Sequence, residues 1–442
     1  MKSFSRITAI LTAFTTHEPV LRIDDLLRRA GVPQSSGYKL VNDLVATGLL
    51  RRVQRGSVAL GPAGADFFFA PLRANAPVRA FTQATSLGDL KTSAAPRKSH
   101  LETELLKLVS TERFKKEPPF VIAFANASKA HPWRLAMEES LLAAARRQSD
   151  VVSKLIVYDA QDDAALQARQ LADMPAQGVD LCILSAAAED DAELENQLRL
   201  LAQQGFPIVG VDRRCGSLDN LVSFVTASDE MVGRVSALWL CEHLAGRGRI
   251  LMLCGREHTS PCRIRLRAAR QVFSSFPGIE IIAIEYTDWL AEKGYSIVGR
   301  YLDKGLIPDG VWSDSGLQGV GSLAVFRDRG FKRGTIPPHT GGELNLVYKI
   351  AVTEKVPLCG LDYPPAMGAG SFQVALSTLF GRQVPRVVET NLETIVTRGH
   401  ETESVRADVH AERKVVWNRA DDHVHAMGRR HGRGRRRNDS DD

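Results

Sequence analysis

Side chains suited to contact a nucleic acid are concentrated between residues 34 and 55 of the sequence. Amide, hydroxyl and amino groups hydrogen-bond to base edges and phosphate oxygens, while guanidinium groups bind phosphate or enter a minor groove. The sequence therefore predicts a surface that contacts double-stranded DNA, made of Gln34, Ser35, Ser36, Tyr38, Lys39, Asn42, Arg52 and Arg55.

The elements that would position these side chains follow from local patterns. Only Gly31-Val32-Pro33 separates two helical patterns, which is typical of a helix-turn-helix, and the third helix is predicted over 34–47. Residues 49–53 and 57–60 flank Gln54-Arg55-Gly56 and predict a β-hairpin wing. The first two helices are predicted from two apolar runs at helical spacing: Ile7, Ile10, Leu11 and Phe14, then Ile23, Leu26, Leu27 and Ala30.

Charge supports a polyanionic partner for this part of the chain. Residues 1–62 hold nine Lys or Arg against four Asp or Glu, an excess of five positive charges, and the whole chain carries +6. A basic surface attracts nucleic acid through its phosphates. The alternative is that these residues form only the solvated face of a small helical module that contacts proteins.

This segment resembles the winged helix of IclR-type regulators. The matching stretches are 21–32, 33–44, Gly48-Leu49-Leu50 and Leu60-Gly61. The resemblance implies that the helix over 34–47 is a recognition helix. Gly37 departs from the pattern, because a helix interior favours a larger residue, and this predicts a recognition helix of reduced stability.

Length and composition indicate how many hydrophobic cores the whole chain forms and to which broad class of protein it belongs. The 442 residues exceed one ordinary hydrophobic core and predict two or three, and 44% hydrophobic with 24% charged residues is typical of a folded soluble protein. No apolar run approaches the roughly 18 residues of a membrane helix, and the amino terminus lacks an export cleavage site. The six cysteines form no CxxC pair. We expect a cytoplasmic protein that does not contact membranes.

From residue 119 to about residue 399, apolar strands alternate with helices. This alternation predicts an α/β fold of parallel sheets covered by helices on both faces, with enough residues for two sheets. Ligands then bind between the lobes, at the carboxyl ends of the strands. The predicted strands include 120–124, 155–158, 181–184, 208–211, 250–253 and 281–284, and the helices include 133–147, 194–204 and 232–244.

The same region resembles the ribose-type periplasmic sugar-binding proteins, whose fold is also the sensor of LacI-type repressors. The resemblance implies a two-lobed, type 1 periplasmic-binding-protein-like domain behind the winged helix. It is carried by Asp159-Ala160-Gln161, 177–180, 205–213, Ala227-Ser228-Asp229, 246–250 and Phe276-Pro277-Gly278.

The resemblance also implies a ligand site. The family's first-strand loop, with Asn-Pro and two aromatic residues, is replaced here by His131, Pro132, Trp133 and Arg134. The family's aspartate beyond the eighth strand is replaced near Gly341-Gly342, with Glu343 and Asn345 close by. The other implied positions are Asp212, Arg213, Arg263, Trp289, Asp314 or Ser315, and Asp362 or Tyr363.

These residue types suit a carbohydrate. Aromatic faces cover the apolar side of a sugar ring, and forked Arg and Asp groups bind several hydroxyls in a fixed geometry. Up to three arginines around the cleft are also compatible with an anionic sugar acid or sugar phosphate. Each position has a structural alternative as well, with Asp212 and Arg213 as a strand-end ion pair and Trp133 or Trp289 as core residues.

The two resemblances together predict a ligand-responsive transcription regulator that acts as a homodimer. Ligand would close the lobes about a hinge near Ser228, Tyr363 and the segment after Pro385, and so alter operator affinity. The alternative is a solute-binding protein of a sugar transporter. We expect no enzyme, catalytic residue, cofactor or metal site, because GxSxG, Walker A, HExxH and clustered Cys/His patterns do not occur.

Four units are expected along the chain. Residues 1–72 form the winged helix and 119–400 the sugar-sensing domain, while 401–442 are an Arg-rich disordered tail. Residues 73–118 are expected to be a linker with a short amphipathic helix formed by Leu101, Leu105, Leu108 and Val109.

Overall fold

A computed structural model describes most of the region from residue 107 onward and parts of the amino-terminal region. The described residues are 10, 13, 20–46, 50–54, 56–60, 104, 107–390, 392–398 and 401–404. Arg55, residues 61–103 and residues 405–442 lie outside them, and with them the DNA-contact prediction for Arg55, most of the predicted linker and the predicted disordered tail. No described helix is both long and apolar enough to cross a bilayer.

The amino-terminal elements form a helix-turn-helix followed by a small antiparallel sheet. Gly31, at φ 61°, takes the left-handed conformation that the tight turn between the helices requires. Of the first predicted helix only Ile10 and Ala13 are described, and Ile10 is helical and fully buried. The elements are β1 (Val20–Arg22), α1 (Ile23–Arg29), α2 (Gln34–Ala46), β2 (Leu50–Gln54) and β3 (Ser57–Leu60), with strand order β1-β3-β2.

Gly37 is explained by packing between α1 and α2. A Cβ atom on Gly37 would lie 2.5 Å from Cδ2 of Leu27, and Leu27 is fully buried. The absence of a side chain lets the recognition helix approach α1 closely. The residue that weakens α2 by helix propensity therefore serves the packing of the two helices.

The amino-terminal lobe of the larger region contains a six-stranded parallel sheet. The strands are β5 (Phe120–Asn126), β6 (Val152–Asp159), β7 (Leu181–Leu184), β8 (Ile208–Val211), β9 (Ser223–Ala227) and β16 (Val387–Thr390). Their order in the sheet is β16-β9-β8-β7-β5-β6, with every neighbouring pair parallel. The helices are α3 (Pro132–Arg146), α4 (Ala164–Asp173), α5 (Ala192–Gln203) and α11 (Met367–Leu379).

The carboxy-terminal lobe contains a seven-stranded sheet. The strands are β10 (Arg247–Cys254), β11 (Gly278–Tyr286), β12 (Gly310–Ser313), β13 (His339–Thr340), β14 (Leu358–Asp362), β17 (Glu393–Arg398) and β18 (Glu401–Ser404). Their order is β11-β10-β12-β13-β14-β17-β18; the sheet is parallel from β11 to β14, and β17 and β18 join antiparallel. The helices are α6 (Asp229–His243), α7 (Ser260–Phe273), α8 (Ala291–Asp303), α9 (Gly316–Asp328) and α10 (Asn345–Glu354).

The chain passes between the lobes three times. It crosses at Ser228, between β9 and α6, then at Tyr363, after β14, and finally between β16 and β17. These positions agree with the hinge segments expected from the sequence. Because two sheets share one chain through three short connections, the lobes can move as bodies about these segments.

Residues 107–118, expected as linker, pack on the amino-terminal lobe. The predicted short helix is wrong at Leu108 and Val109, which form β4 (Leu108–Val109) and pair antiparallel with β15 (Val384–Pro385). Phe114 is buried, and Lys116 Nζ lies 2.7 Å from Asp180 Oδ1. Pairing with a strand that is distant in sequence decides this conformation, so the local apolar spacing misleads.

Candidate ligand-binding cleft and DNA-binding surface

A cleft between the two lobes gathers side chains from the ends of parallel strands. In this arrangement of the lobes the cleft is narrow, with a cavity volume of about 40 Å³. Strand ends of both sheets meet there because parallel strands all direct their carboxyl ends to one edge. The lining residues are His131, Trp133, Arg134, Asp212, Arg213, Pro261, Arg265, Trp289, Ser315, Glu343 and Tyr363.

The structure brings eight of the eleven predicted ligand residues to this cleft, and Arg263, Asp314 and Asp362 do not line it. Arg263 is half exposed, with Nη1 2.8 Å from Asp190 Oδ2. Asp314 is buried behind the cleft, where its Oδ1 accepts hydrogen bonds from Gln318 and Trp289. Asp362 is fully buried and accepts the backbone N–H of Glu343 at 2.8 Å. Of the two positions for which the sequence left alternatives open, Ser315 and Tyr363 line the cleft, and Arg263 lies outside it.

Arg265, not Arg263, is the arginine that α7 directs into the cleft. Residues two apart in a helix point to nearly opposite sides, so only one of the two can face the site. Arg265 shares the buried side of α7 with Cys262, Ala269 and Val272. That helical spacing was available in the sequence and would have selected Arg265. Pro261 was also missed, and Glu343, which was noted near the site, lines it directly.

Arg134 is a buried cation held by the amino-terminal lobe. Its Nη2 donates to Asp212 Oδ2 at 2.9 Å, and its Nη1 donates to Asn126 Oδ1 at 2.9 Å and to Ser185 Oγ at 3.1 Å. Burial lowers the pKa of Arg134 to about 10, although Asp212 opposes the shift. Arg134 remains charged at neutral pH and is locked in one orientation by its partners.

His131 is held neutral and presents one donor to the cleft. Its Nδ1 accepts the backbone N–H of Trp133 at 3.0 Å, which assigns the ring proton to Nε2. Burial, together with the nearby guanidinium groups of Arg134 and Arg213, lowers the pKa of His131 to about 3. Nε2 is buried and has no hydrogen-bond partner among the described residues. A ligand oxygen is therefore a suitable acceptor at this position.

Two indole rings flank the cleft, one on each lobe, and both are anchored by their N–H groups. Trp133 Nε1 donates to the backbone oxygen of Tyr363 at 2.8 Å, and Trp289 Nε1 donates to Asp314 Oδ1 at 3.1 Å. The guanidinium carbon of Arg213 lies 5.0 Å from the ring centroid of Trp289. These contacts fix the ring planes, and a fixed aromatic plane suits a sugar ring.

The floor formed by the carboxy-terminal lobe is rich in carboxyl groups. Arg265 Nε donates to Asp229 Oδ1 at 2.8 Å, and Ser315 Oγ donates to Glu343 Oε2 at 2.8 Å. Burial raises the pKa of Glu343 to about 8 and that of Asp229 to about 6, against the opposing effect of Arg265. Glu343 is therefore largely protonated at neutral pH.

Each arginine that lines the cleft already has a carboxylate of its own. Arg134 pairs with Asp212 at 2.9 Å and Arg265 with Asp229 at 2.8 Å. Arg213 Nη1 lies 2.9 Å from Asp162 Oδ1, a residue that sequence analysis did not single out. Within each pair the carboxylate offsets the charge of the guanidinium group. The cleft therefore lacks the concentrated positive charge that three unpaired arginines would give it.

Seven of the eight predicted DNA-contacting residues are described, six on α2 and Arg52 on β2, and several of them are held by other side chains of the domain. Gln34 Nε2 donates to Asp24 Oδ1 at 3.1 Å, and Tyr38 Oη donates to the same oxygen at 2.5 Å. Arg52 Nη2, on the wing, donates to Asn42 Oδ1 at 2.6 Å and so ties the wing to α2. The exposed members of this surface are Gln34, Ser35, Ser36, Tyr38, Lys39, Asn42 and Arg52.

The fold and the cleft define a class of protein. Two lobes built on parallel sheets, joined by three crossings and enclosing a polar cleft at their strand ends, constitute the type 1 periplasmic-binding-protein fold, which confirms the predicted fold class. The chain belongs to the periplasmic binding protein domain family, whose model matches residues 122–383. The IclR helix-turn-helix domain model matches residues 3–54, and the predicted fusion of the two is confirmed.

Curated relatives match part of the larger domain. A putative rhizopine-binding protein of Rhizobium meliloti is 25% identical over 181 residues, which cover 40% of this chain and 58% of the relative. A xylitol-binding protein of Mycolicibacterium smegmatis is 25% identical over 178 residues, covering 40% of this chain and 50% of that protein. The chain thus spans little more than half the length of these relatives.

Solved structures share the fold at low identity. The arabinose-binding component of a Shewanella sp. ANA-3 transporter, bound to L-arabinofuranose, has a TM-score of 0.58 at 20% identity, covering 62% of this chain and 91% of that one. A Bacillus halodurans solute-binding protein with bound myo-inositol has a TM-score of 0.58 at 18% identity, covering 64% and 96%.

Proposed function

We propose that this protein is a ligand-responsive transcription regulator, in which a winged helix binds an operator and the two-lobed domain binds a small carbohydrate-like effector. The observation that carries the proposal is one chain that holds both a helix-turn-helix and a buried polar cleft between lobes. Effector binding favours one arrangement of the lobes and thereby shifts operator affinity.

The effector is proposed to be a polyhydroxylated, predominantly neutral molecule. Arginine and aspartate pairs offer fixed donors and acceptors for several hydroxyls, and Trp133 and Trp289 offer flat apolar faces. Because Arg134, Arg213 and Arg265 are each ion-paired, the cleft favours a neutral sugar or polyol over a sugar acid or phosphate. Proteins with this fold that bind arabinofuranose and myo-inositol support the same class.

The DNA-binding unit is proposed to act from a homodimer in the cytoplasm. A pair of winged helices contacts two half-sites, which yields the affinity that one unit lacks. Lys39 and Ser35 are exposed and offer donors to DNA, while Asp24 holds Gln34 and Tyr38 in place. We propose a DNA-binding unit within 1–72 and a sensor that begins near residue 107 and extends through β18. The helix-turn-helix match disfavours the alternative of a transporter's solute-binding protein.

Thermal unfolding against a panel of small molecules tests the effector class. The panel holds pentoses, hexoses, xylitol, myo-inositol, sugar acids and sugar phosphates. A ligand at a hundred times its dissociation constant adds about 2.7 kcal/mol to stability. We expect stabilisation by a neutral sugar or polyol and its loss in the Trp133→Ala variant, with Lys304→Ala, at an exposed position of the carboxy-terminal lobe, as the control. Stabilisation only by anions would contradict the proposed class, and a silent panel would remove the carbohydrate assignment.

DNA binding is tested separately by selection of bound fragments from a genomic library. A reproducible inverted-repeat motif is the expected result for a homodimer. Affinity for that motif should change when the stabilising sugar or polyol is added. Specific DNA binding that no panel member alters would leave the DNA-binding unit intact and contradict its coupling to the cleft.

A further inference from the structure

The loop between β10 and α7, together with the first turn of α7, reaches across the mouth of the cleft to the opposite lobe. Arg256 Nη1 lies 3.0 Å from Asp162 Oδ2, and Arg263 Nη1 lies 2.8 Å from Asp190 Oδ2. The backbone N–H of Glu189 donates to the carbonyl oxygen of His258 at 2.9 Å. These contacts, together with the hydrogen bond from the backbone N–H of Arg214 to Ser260 Oγ at 3.3 Å, join the lobes at the cleft mouth.

The two ion pairs differ in what else they contact. The carboxylate of Asp162 is shared, with Oδ1 accepting from Arg213 Nη1 at 2.9 Å while Oδ2 pairs with Arg256. Arg213 lines the cleft and lies over Trp289 on the opposite lobe. The carboxylate of Asp190 is half exposed and has no bond to a cleft-lining arginine in the described part of the chain. Of these two carboxylates, only that of Asp162 connects a cleft-lining residue with the loop between β10 and α7.

The backbone around Asp162 is built to hold this carboxylate in place. Gln161 and Asp162 both adopt the left-handed conformation, at φ 54° and 58°, which costs free energy for residues other than glycine. The N–H of Asp162 donates to the carbonyl oxygen of Ala127 at 2.6 Å, which ties the strained turn to the end of β5. Burial would raise the pKa of Asp162, but Arg213, Arg134 and Arg256 together hold it below its ordinary value.

We propose that Asp162 is a positioning residue that couples the ligand-contacting Arg213 to closure of the lobes. Its carboxylate orients Arg213 over Trp289 through one oxygen and pairs with Arg256 of the opposite lobe through the other. An effector that binds Arg213 in this orientation therefore favours the closed arrangement. This inference rests on the proposed function, since it describes how effector binding in the same cleft changes the arrangement of the lobes.

The test uses the full-length protein without effector or DNA, so its failure is distinct from failure of the proposed function. The variants are Asp162→Asn, Arg256→Ala, their combination, and Asp190→Asn as the matched control that breaks the other ion pair. Asparagine keeps the shape of aspartate and tolerates the left-handed conformation, so the turn is preserved. Arg256 is partly exposed, so its truncation leaves the core intact.

Two readouts follow the coupling. The first is the radius of gyration from small-angle X-ray scattering, which reports the open-to-closed ratio. The second is the fluorescence of Trp289. It is obtained for each variant by subtracting the emission spectrum of the same variant with the added Trp289→Phe substitution from the spectrum of the variant itself. We expect Asp162→Asn and Arg256→Ala each to raise the open-to-closed ratio about two- to five-fold, the size of one partly exposed ion pair, and to shift the Trp289 emission.

The double variant decides between coupling and two independent contacts. We expect it to resemble Asp162→Asn alone, because removing Arg256 has no further effect once the shared carboxylate is lost. Asp190→Asn should leave the Trp289 emission unchanged. Additive effects, an unchanged Trp289 emission in Asp162→Asn, or an equal emission shift in Asp190→Asn would each overturn the proposal.

Discussion

The guanidinium carbon of Arg265 lies 4.5 Å from the centroid of the Tyr363 ring. Tyr363 is a crossing residue between the lobes, and its hydroxyl lies 3.3 Å from Asp229 Oδ2 beside the crossing at Ser228. Arg265 also binds Asp229 directly. A residue of the cleft thus packs against two of the three crossing segments, which gives an occupant of the cleft a direct physical connection to the hinge.

Replacing Arg265 with alanine should destabilise the protein strongly. The substitution leaves Asp229 buried without its counter-charge, and breaking a buried ion pair from one side costs about 3–5 kcal/mol. Urea unfolding measures the loss. Arg263→Ala, two residues away and half exposed, should change the free energy of unfolding by less than about 1 kcal/mol. Equal losses in the two variants would mean that Arg265 has no special role in the lobe.

Glu343→Gln should flatten the fall in stability toward alkaline pH. The folded-state pKa of Glu343, about 8, lies above its ordinary value of 4.5. Its stabilising contribution is therefore fully present below the ordinary value and is lost as the pH rises through about 8, at about 1.4 kcal/mol per pKa unit. Glutamine mimics the protonated form and removes this dependence.

Melting temperatures at pH 5, 7 and 9 measure the effect of Glu343→Gln. The unsubstituted protein should lose more stability from pH 5 to pH 9 than the variant does. Glu257→Gln, at an exposed carboxyl group on the loop after β10, serves as the control and should leave the pH profile unchanged. Parallel profiles for Glu343→Gln and the unsubstituted protein would show that the buried carboxyl group does not titrate in this range.

Lys39→Ala should weaken DNA binding without affecting the cleft. Lys39 is exposed on α2 and suits a phosphate contact, so its loss should reduce the dependence of log affinity on log salt by about one unit. Fluorescence anisotropy with a mixed-sequence duplex at several salt concentrations measures this slope. Lys304→Ala, at an exposed position in the other domain, is the control. An unaltered slope in Lys39→Ala would place Lys39 outside the DNA interface.

Gly37→Ala should destabilise the winged helix despite a better helix propensity. Alanine gains roughly 1 kcal/mol in propensity, but its Cβ would meet Leu27 at 2.5 Å in a packed interface, and overpacking costs about 1–3 kcal/mol. The helical signal during thermal unfolding measures the balance. Ser35→Ala, at an exposed position of the same helix, should not destabilise it. A stabilised Gly37→Ala variant would show that the Leu27 side chain can move away from the added methyl group without loss of packing energy.

Local patterns predicted the elements well, because each depends on residues close in sequence. The predicted strands 120–124, 155–158 and 181–184 lie within β5, β6 and β7, and the helix over 34–47 agrees with α2 to within one residue. The failure at Leu108 and Val109 has a tertiary cause. Their partner strand lies at Val384–Pro385, and no local spacing records a pairing across that distance.

The site was predicted where a residue follows directly from a strand end. Asp212 and Tyr363 directly follow β8 and β14, whereas His131 and Trp133 lie at the start of α3, and all four line the cleft. Arg263 was carried over from the resemblance to the family, which matches a position in a motif without regard to the helical face on which the residue lies. Asp162 was not selected at all, since its importance comes from contacts with Arg213 and with a loop of the other lobe.

The two domain types, the order of strands and helices, and the chemical types that surround the cleft could all be predicted without the structure. These depend on hydrophobic periodicity, turn residues and residue identity, which are properties of short segments. Two further properties depend on how the chain packs in three dimensions: which charges neutralise each other, as with Arg134 and Asp212, and which carboxyl groups burial keeps protonated, as with Glu343. Those outcomes depend on distance and desolvation between residues far apart in the chain, and both are set only when the sheets and lobes pack together.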